Sequence, residues 1–181
     1  MTILGVDFSL TSTGVCSIQD GEAECITVKS KKEAVWHEFP KRVNGIAYEI
    51  DFWANPGVEP ERAQVVLETP AFAATSSSLD RMFGGWWMFV DALAGCGFEP
   101  PLLVTPAQVK KYATGKGNAA KDAVLASVFK RYPDVDVSGN DQADALVLAA
   151  IGAAVMGEPF NGPLTVAQQE VVEAVRTRAA F

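Results

Sequence analysis

Apolar positions divide the chain into short runs and longer stripes. Ile3, Leu4 and Val6 form one run, Gly14 to Ile18 a second, and Cys25, Ile26 and Val28 a third. Asp7 to Thr13 reads as a polar loop, and Asp20-Gly21 as a hairpin signal. Such close spacing predicts an antiparallel meander. Phe39, Val43, Ile46, Ile50 and Trp53 then recur every three or four residues, which predicts a helix opened by Pro40 and stopped by Asn55-Pro56-Gly57. Val65 to Leu67 is a fully apolar strand that ends at Glu68, before the breaking pair Thr69-Pro70.

A second helix, capped by Ser76, Ser77 or Ser78, carries Leu79, Met82, Phe83, Trp86, Val90 and Leu93 on one face. Gly84-Gly85 in its middle disfavours helix and predicts close approach of another backbone. Leu102 to Val104 is a further strand, and Thr105-Pro106 opens a short helix through Tyr112. Asn118 is expected to cap a helix over 119–131. A core helix follows over 140–156, and Thr165 caps an amphipathic tail helix to Arg178. The leading strands can pair as hairpins, while the later ones, each separated by a helix, add in parallel through right-handed crossovers. The expected fold class is α/β: a mixed five-stranded sheet, three antiparallel strands then two parallel, with helices on both faces. Residues 1–158 form one domain, and 159–181 a linker and C-terminal helix.

Composition narrows the classes. The 181 residues suit one core, and no apolar run is long enough to span a bilayer. The N-terminus lacks the pattern of a signal peptide, so a cytoplasmic location is expected. Three scattered cysteines and a single histidine argue against a zinc site or a disulfide framework and for buried free thiols. The net charge of −7 opposes a polyanionic partner, but its distribution does not. Residues 105–131 carry Lys110, Lys111, Lys116, Lys121, Lys130 and Arg131 against Asp122 alone, a local +5 on a body of −12.

Four acids stand out by position. Asp7 follows the first apolar run and Glu68 ends the fourth strand. Asp141 and Asp144 share a face at the start of a helix that is apolar from Ala145 onward. Asp141 also suits a helix cap. Carboxylates brought close repel one another and call for a compensating charge. A histidine-free oxygen cluster suits Mg²⁺ or Mn²⁺, and two such ions can drive phosphodiester hydrolysis.

Leu4-Gly5-Val6-Asp7-Phe8-Ser9 with Thr13-Gly14-Val15, then Val66-Leu67-Glu68, Gln108-Val109-Lys110 with Gly115 to Lys121, and Asp141 to Leu146 together resemble, in order and spacing, the RuvC family of Holliday-junction resolvases. That family has a ribonuclease H-like fold. The resemblance implies metal binding and catalysis by Asp7, Glu68, Asp141 and Asp144, assisted by Lys121. It implies DNA contact by Lys110, Lys111, Lys116 and Lys121, and an aromatic wedge at Phe72. It also implies a homodimer on branched DNA, in a bacterial cell or phage-infected host, with the helix around Met82 to Trp87 as the two-fold contact. The chain departs from the family at Phe8-Ser9, where Pro-Gly is common, and in its acidic balance. Two other readings stay open: a ribonuclease acting on RNA–DNA hybrids, and a non-catalytic module that binds branched DNA. Gly115 to Lys121 lacks the P-loop pattern, so no nucleotide cofactor is expected.

Overall fold

The computed structural model describes residues 1–55, 63–70 and 79–179. Strands β1 (Ile3–Asp7), β2 (Ser12–Gln19), β3 (Glu22–Lys29), β4 (Gln64–Glu68) and β5 (Leu102–Val104) form one sheet in the order β3-β2-β1-β4-β5. The β1–β2 and β2–β3 pairs are antiparallel, and β1–β4 and β4–β5 are parallel. This is the mixed sheet the spacings predict. Strands β2 and β3 run longer than their apolar runs, because polar pairs such as Ser12–Lys29 and Gln19–Glu22 continue the ladder. The turn between them places Asp20 (φ 52°) and Gly21 (φ 84°) in the left-handed region, as a two-residue hairpin of the right twist requires.

Successive side chains divide between the two faces of the sheet. Leu4, Val6, Val15, Val65 and Leu67 pack under α1 (Phe39–Ala54) and α2 (Leu79–Gly95). Ile3, Cys16, Ile18 and Val66 pack under α5 (Asn140–Val155). Outside α5 lie α3 (Pro106–Thr114), α4 (Lys121–Arg131) and α6 (Val166–Ala179). Helix α5 is therefore covered on both sides, and its residues are buried from Ala145 through Ala154. None of the helices described is long and apolar enough to cross a membrane.

Two glycines let α5 lie flush on the sheet. A Cβ at Gly5 would stand 2.0 Å from the Ala145 carbonyl oxygen and 2.4 Å from the Ala149 nitrogen. At Gly14 it would stand 2.0 Å from the Asp141 carbonyl oxygen. Both contacts are backbone against backbone, so no rotamer change relieves them.

The tail helix is fastened at both ends. Thr165 and Gln168 form a reciprocal capping box, and Gln168 Nε2 donates to the Tyr112 carbonyl at 3.2 Å. Arg176 donates to the Ala154 and Val155 carbonyls at the end of α5, where a cation suits the free carbonyls.

Three local expectations change. Helix α4 starts at Lys121 with Ala120 as N-cap and no capping side chain. Asn118 precedes it in a turn closed by Ala119 N–H on the Lys116 carbonyl, so it caps nothing. Gly85 faces the side chains of Leu10 and Phe39 rather than a backbone, and Gly84 faces open space. Cys16 and Cys96 are buried free thiols, but Cys25, directly opposite Cys16, is only half-buried at the sheet edge. Ser76, Ser77 and Ser78 lie outside the described residues.

Gly5→Ala is expected to cost about 3 kcal/mol or more, since forced overpacking costs about 1–3 kcal/mol even where side chains can yield. The melting temperature should fall by roughly 6–12 °C at this chain length. Gly45→Ala, in α1 with nothing within 4 Å, should instead be neutral or stabilising. Thermal denaturation of the two variants checks the contrast.

Candidate active site

Asp7 and Glu68 end adjacent parallel strands, one position beyond the paired residues Val6 and Leu67. Helix α5 crosses the same end of the sheet. Its second residue, Asp141, lies over Gly14, and Ala145, next to Asp144, lies over Gly5. The four acids singled out from the sequence are thereby brought together by three elements. Trp86, on α2, donates its indole N–H to the Glu68 carbonyl at 2.9 Å and fixes the end of β4.

The electrostatics report this crowding. Burial, followed by repulsion from Asp144 and Asp141, raises the Asp7 pKa to about 7; Lys121 and a hydrogen bond shared with Glu68 pull the other way. Burial, then Asp7 and Asp144, raise Glu68 to about 8 against the pull of Lys121 and Lys110. Asp144 is also raised, by burial first and Asp141 second, with Lys121 and Lys110 opposing. Asp141 does not act as a helix cap, because Gly139 holds that position. Its Oδ2 instead accepts from Ser12 Oγ at 2.6 Å.

The loop after Asp7 is held from several sides. Phe8 stacks on Phe89 at 4.4 Å. Ser9 Oγ accepts from the amide of Ser12 at 3.1 Å, and Thr13 Oγ1 donates to the Ser9 carbonyl at 2.7 Å. Arg42, on α1, donates to the Leu10 carbonyl, to Ser30 Oγ at 2.9 Å and to Glu33 at 2.8 Å. Arg81, with a partly exposed side chain, completes a triad by pairing with the other oxygen of Glu33. Residues on the β3 side, α1 and α2 are thus tied to the loop that orients Asp7. Beside it a cavity of about 410 Å³ opens at Glu68, lined in part by Phe8, Leu10, Pro70, Met82 and Arg81.

Of the basic residues, Lys110 and Lys121 act on the carboxylates. Lys116 is exposed in the loop after α3. Lys111 is paired with Glu170 of α6 at 2.6 Å. Phe72 lies outside the described residues. The sequence assigns Trp86 only to an apolar helix face, and it assigns no role to Ser12 or to the Arg42–Glu33–Arg81 triad. The hydroxyl-rich Ser9 to Thr13 was the one available signal, and it marked a loop, not a partner for Asp141.

Among the described residues, no three His, Cys, Asp or Glu side chains already close round one point as metal ligands. The donor set still fits a hard cation. It is all carboxylate, and burial and mutual repulsion push three of its members toward the protonated form, which a cation would relieve.

The raised carboxyls fix a sign for pH dependence. Their contribution to stability is complete below the unfolded carboxylate values and is lost as pH rises through about 7 and 8. The melting temperature of the metal-free protein should therefore fall between about pH 5 and about pH 9. A divalent cation should remove most of that fall. Calorimetry with and without chelator measures both.

No family model matches the chain. The crossover junction endodeoxyribonuclease RuvC of Paenarthrobacter aurescens (strain TC1) is 30% identical over 189 residues, covering 96% of this chain and 95% of that protein. The Thermus thermophilus RuvC structure superposes with a TM-score of 0.63 at 22% identity, covering 87% of this chain and 98% of that one. T. thermophilus RuvC in complex with Holliday junction substrate gives a TM-score of 0.64 at 24% identity, over 87% and 97% of the two chains. These two likenesses establish the ribonuclease H-like fold, and the relative matched nearly end to end places the chain in the RuvC family of crossover junction endodeoxyribonucleases.

Proposed function

We propose that the protein is a divalent-metal-dependent endonuclease that resolves four-way DNA junctions, with Asp7, Glu68, Asp141 and Asp144 as metal ligands. The observation that carries this reading is the convergence of four carboxylates at one end of the sheet, with Lys110 and Lys121 acting on them. Asp7, Glu68, Asp141 and Asp144 would hold two Mg²⁺ or Mn²⁺ ions, which when bound would supply the charge that activates a water and stabilises the leaving oxygen. The chain's own residues do the rest. Ser12 turns Asp141, and Trp86 holds the backbone of Glu68. Lys121 and Lys110 supply positive charge where a phosphate gains negative charge in the transition state. Lys116 contacts the flanking backbone. Lys111 joins it only by leaving Glu170, a partly exposed pair that holds it weakly.

The protein acts as a homodimer through α2. Trp87 supports this, because it is 64% exposed beside the buried Trp86 and offers an apolar patch to a second copy. Two copies present two sites, which suits paired cuts across a symmetric junction.

The direct test offers labelled four-way junction, forked duplex, linear duplex and RNA–DNA hybrid with Mg²⁺. Paired symmetric cuts in the junction are expected. Asp144→Asn should lower the rate at least about 100-fold, since even partners of metal ligands cost 10–100-fold. Cutting confined to the hybrid would make the protein a ribonuclease on the same fold. Binding without any cutting would make it a junction-binding module.

Ser12→Ala removes the hydrogen bond that orients Asp141 while leaving four carboxylates. The Mg²⁺ concentration giving half-maximal cleavage should rise roughly tenfold. A metal titration at fixed DNA reads it.

A further inference from the structure

On the β3 side of the carboxylates lies a second polar cavity of about 290 Å³. It is lined by Ser12, Thr27, Lys29, Ser138, Gly139, Asn140, Asp141 and Gln142. Lys29 is exposed and sits opposite Ser12 in the β2–β3 register. Among the described residues, no carboxylate forms an ion pair with it. Asp141 is the sole acid in the lining, and its Oδ2 is turned onto Ser12.

The remaining lining offers donors. Thr27 Oγ1 accepts from Gln142 Nε2 at 3.1 Å, which leaves its own hydrogen free to donate. The Ser138 side chain is exposed. The first helical bond of α5 runs from Ala143 N–H to the Gly139 carbonyl, and no side chain caps the amides before it. Asn140 also lines the cavity, and its side-chain oxygen is buried with no hydrogen-bond partner. The amide nitrogen of the same side chain carries two donors. A lone lysine, free hydroxyls, uncapped amides and an unsatisfied carboxamide together suit one ligand chemistry, an anion with several acceptor oxygens.

We propose that this cavity is a second phosphate subsite, which holds a backbone phosphodiester of the DNA strand on the β3 side of the carboxylates. The inference rests on the DNA-cleaving reading above and adds the path of the strand. The carboxylates of β1 and β4 lie between Lys29 on one edge strand and Lys110, on the helix that follows the other edge strand. Positive charge thus flanks the centre on both sides, and a strand that crosses the carboxylates meets Lys29 on one side and Lys110 on the other.

The test uses a fluorescent four-way junction and the full chain carrying Asp144→Asn, read by anisotropy over a range of salt. Adding Lys29→Gln should make the dependence of log K on log[salt] shallower by about 0.9 for each protomer bound and weaken low-salt binding roughly threefold or more. Lys29→Arg should restore both, which separates lost charge from lost fold. Arg178→Gln, an equal charge change at the end of the tail helix, sets the baseline. If Lys29→Gln and Arg178→Gln coincide, the subsite does not exist. A parent protein that binds with this Lys29-dependent slope yet never cuts would remove the nuclease reading and leave the subsite standing.

Discussion

The contact between α5 and the sheet is the constraint from which the site follows. Backbone lies on backbone at Gly5 and Gly14, closer than any side chain permits. That approach sets the height of the helix over β1 and β2, and so where Asp141 and Asp144 come down beside Asp7 and Glu68. A helix lifted by one methyl group on either strand would carry both aspartates away from the strand ends. The small side chains of α5 serve the same end, since Ala143, Ala145, Ala149, Ala150 and Ala153 keep the helix thin enough to be covered on its outer side too.

Bringing the carboxylates together works against the stability of the metal-free protein. Asp7, Glu68 and Asp144 are partly desolvated and repelled by neighbouring acids, and Lys110 and Lys121 oppose this. The triad of Arg42, Glu33 and Arg81 ties the loop after Asp7 to the two helices behind it, and Trp86 pins the end of β4. Losing the buried Arg42 arm would leave the buried Glu33 carboxylate with only the partly exposed Arg81 as partner.

The architecture was legible because it rests on periodicity. Alternating apolar runs, turn residues and striped helices identify each strand and helix described here, and the four acids sit at element ends where apolar patterning stops. Local hydrogen bonding was less legible. Asn118 has the chemistry of a cap, but a turn ahead of the helix takes its place, and Asp141 has the same chemistry but is drawn away by Ser12, 129 positions earlier. Gly84 and Gly85 read alike, yet one meets side chains and the other solvent. The face-to-face cysteines on β2 and β3 are a matter of register, and the ion triad joins two helices to the segment between β3 and α1. Such partnerships depend on tertiary position, which no local pattern encodes.

The order in which the site's parts occur along the chain bears on its birth. Asp7 lies at the end of the first strand, and Asp144 stands 137 positions later, on a helix whose outer side is finished only by α6. Contacts of such long range form late, after much of the chain is available. During synthesis the ribosome therefore exposes a sheet and two of the four acids well before the other two can join them. The proposed phosphodiester-cutting centre, assembled in this order, would stay silent on the growing chain until the last core helix settles onto the glycines.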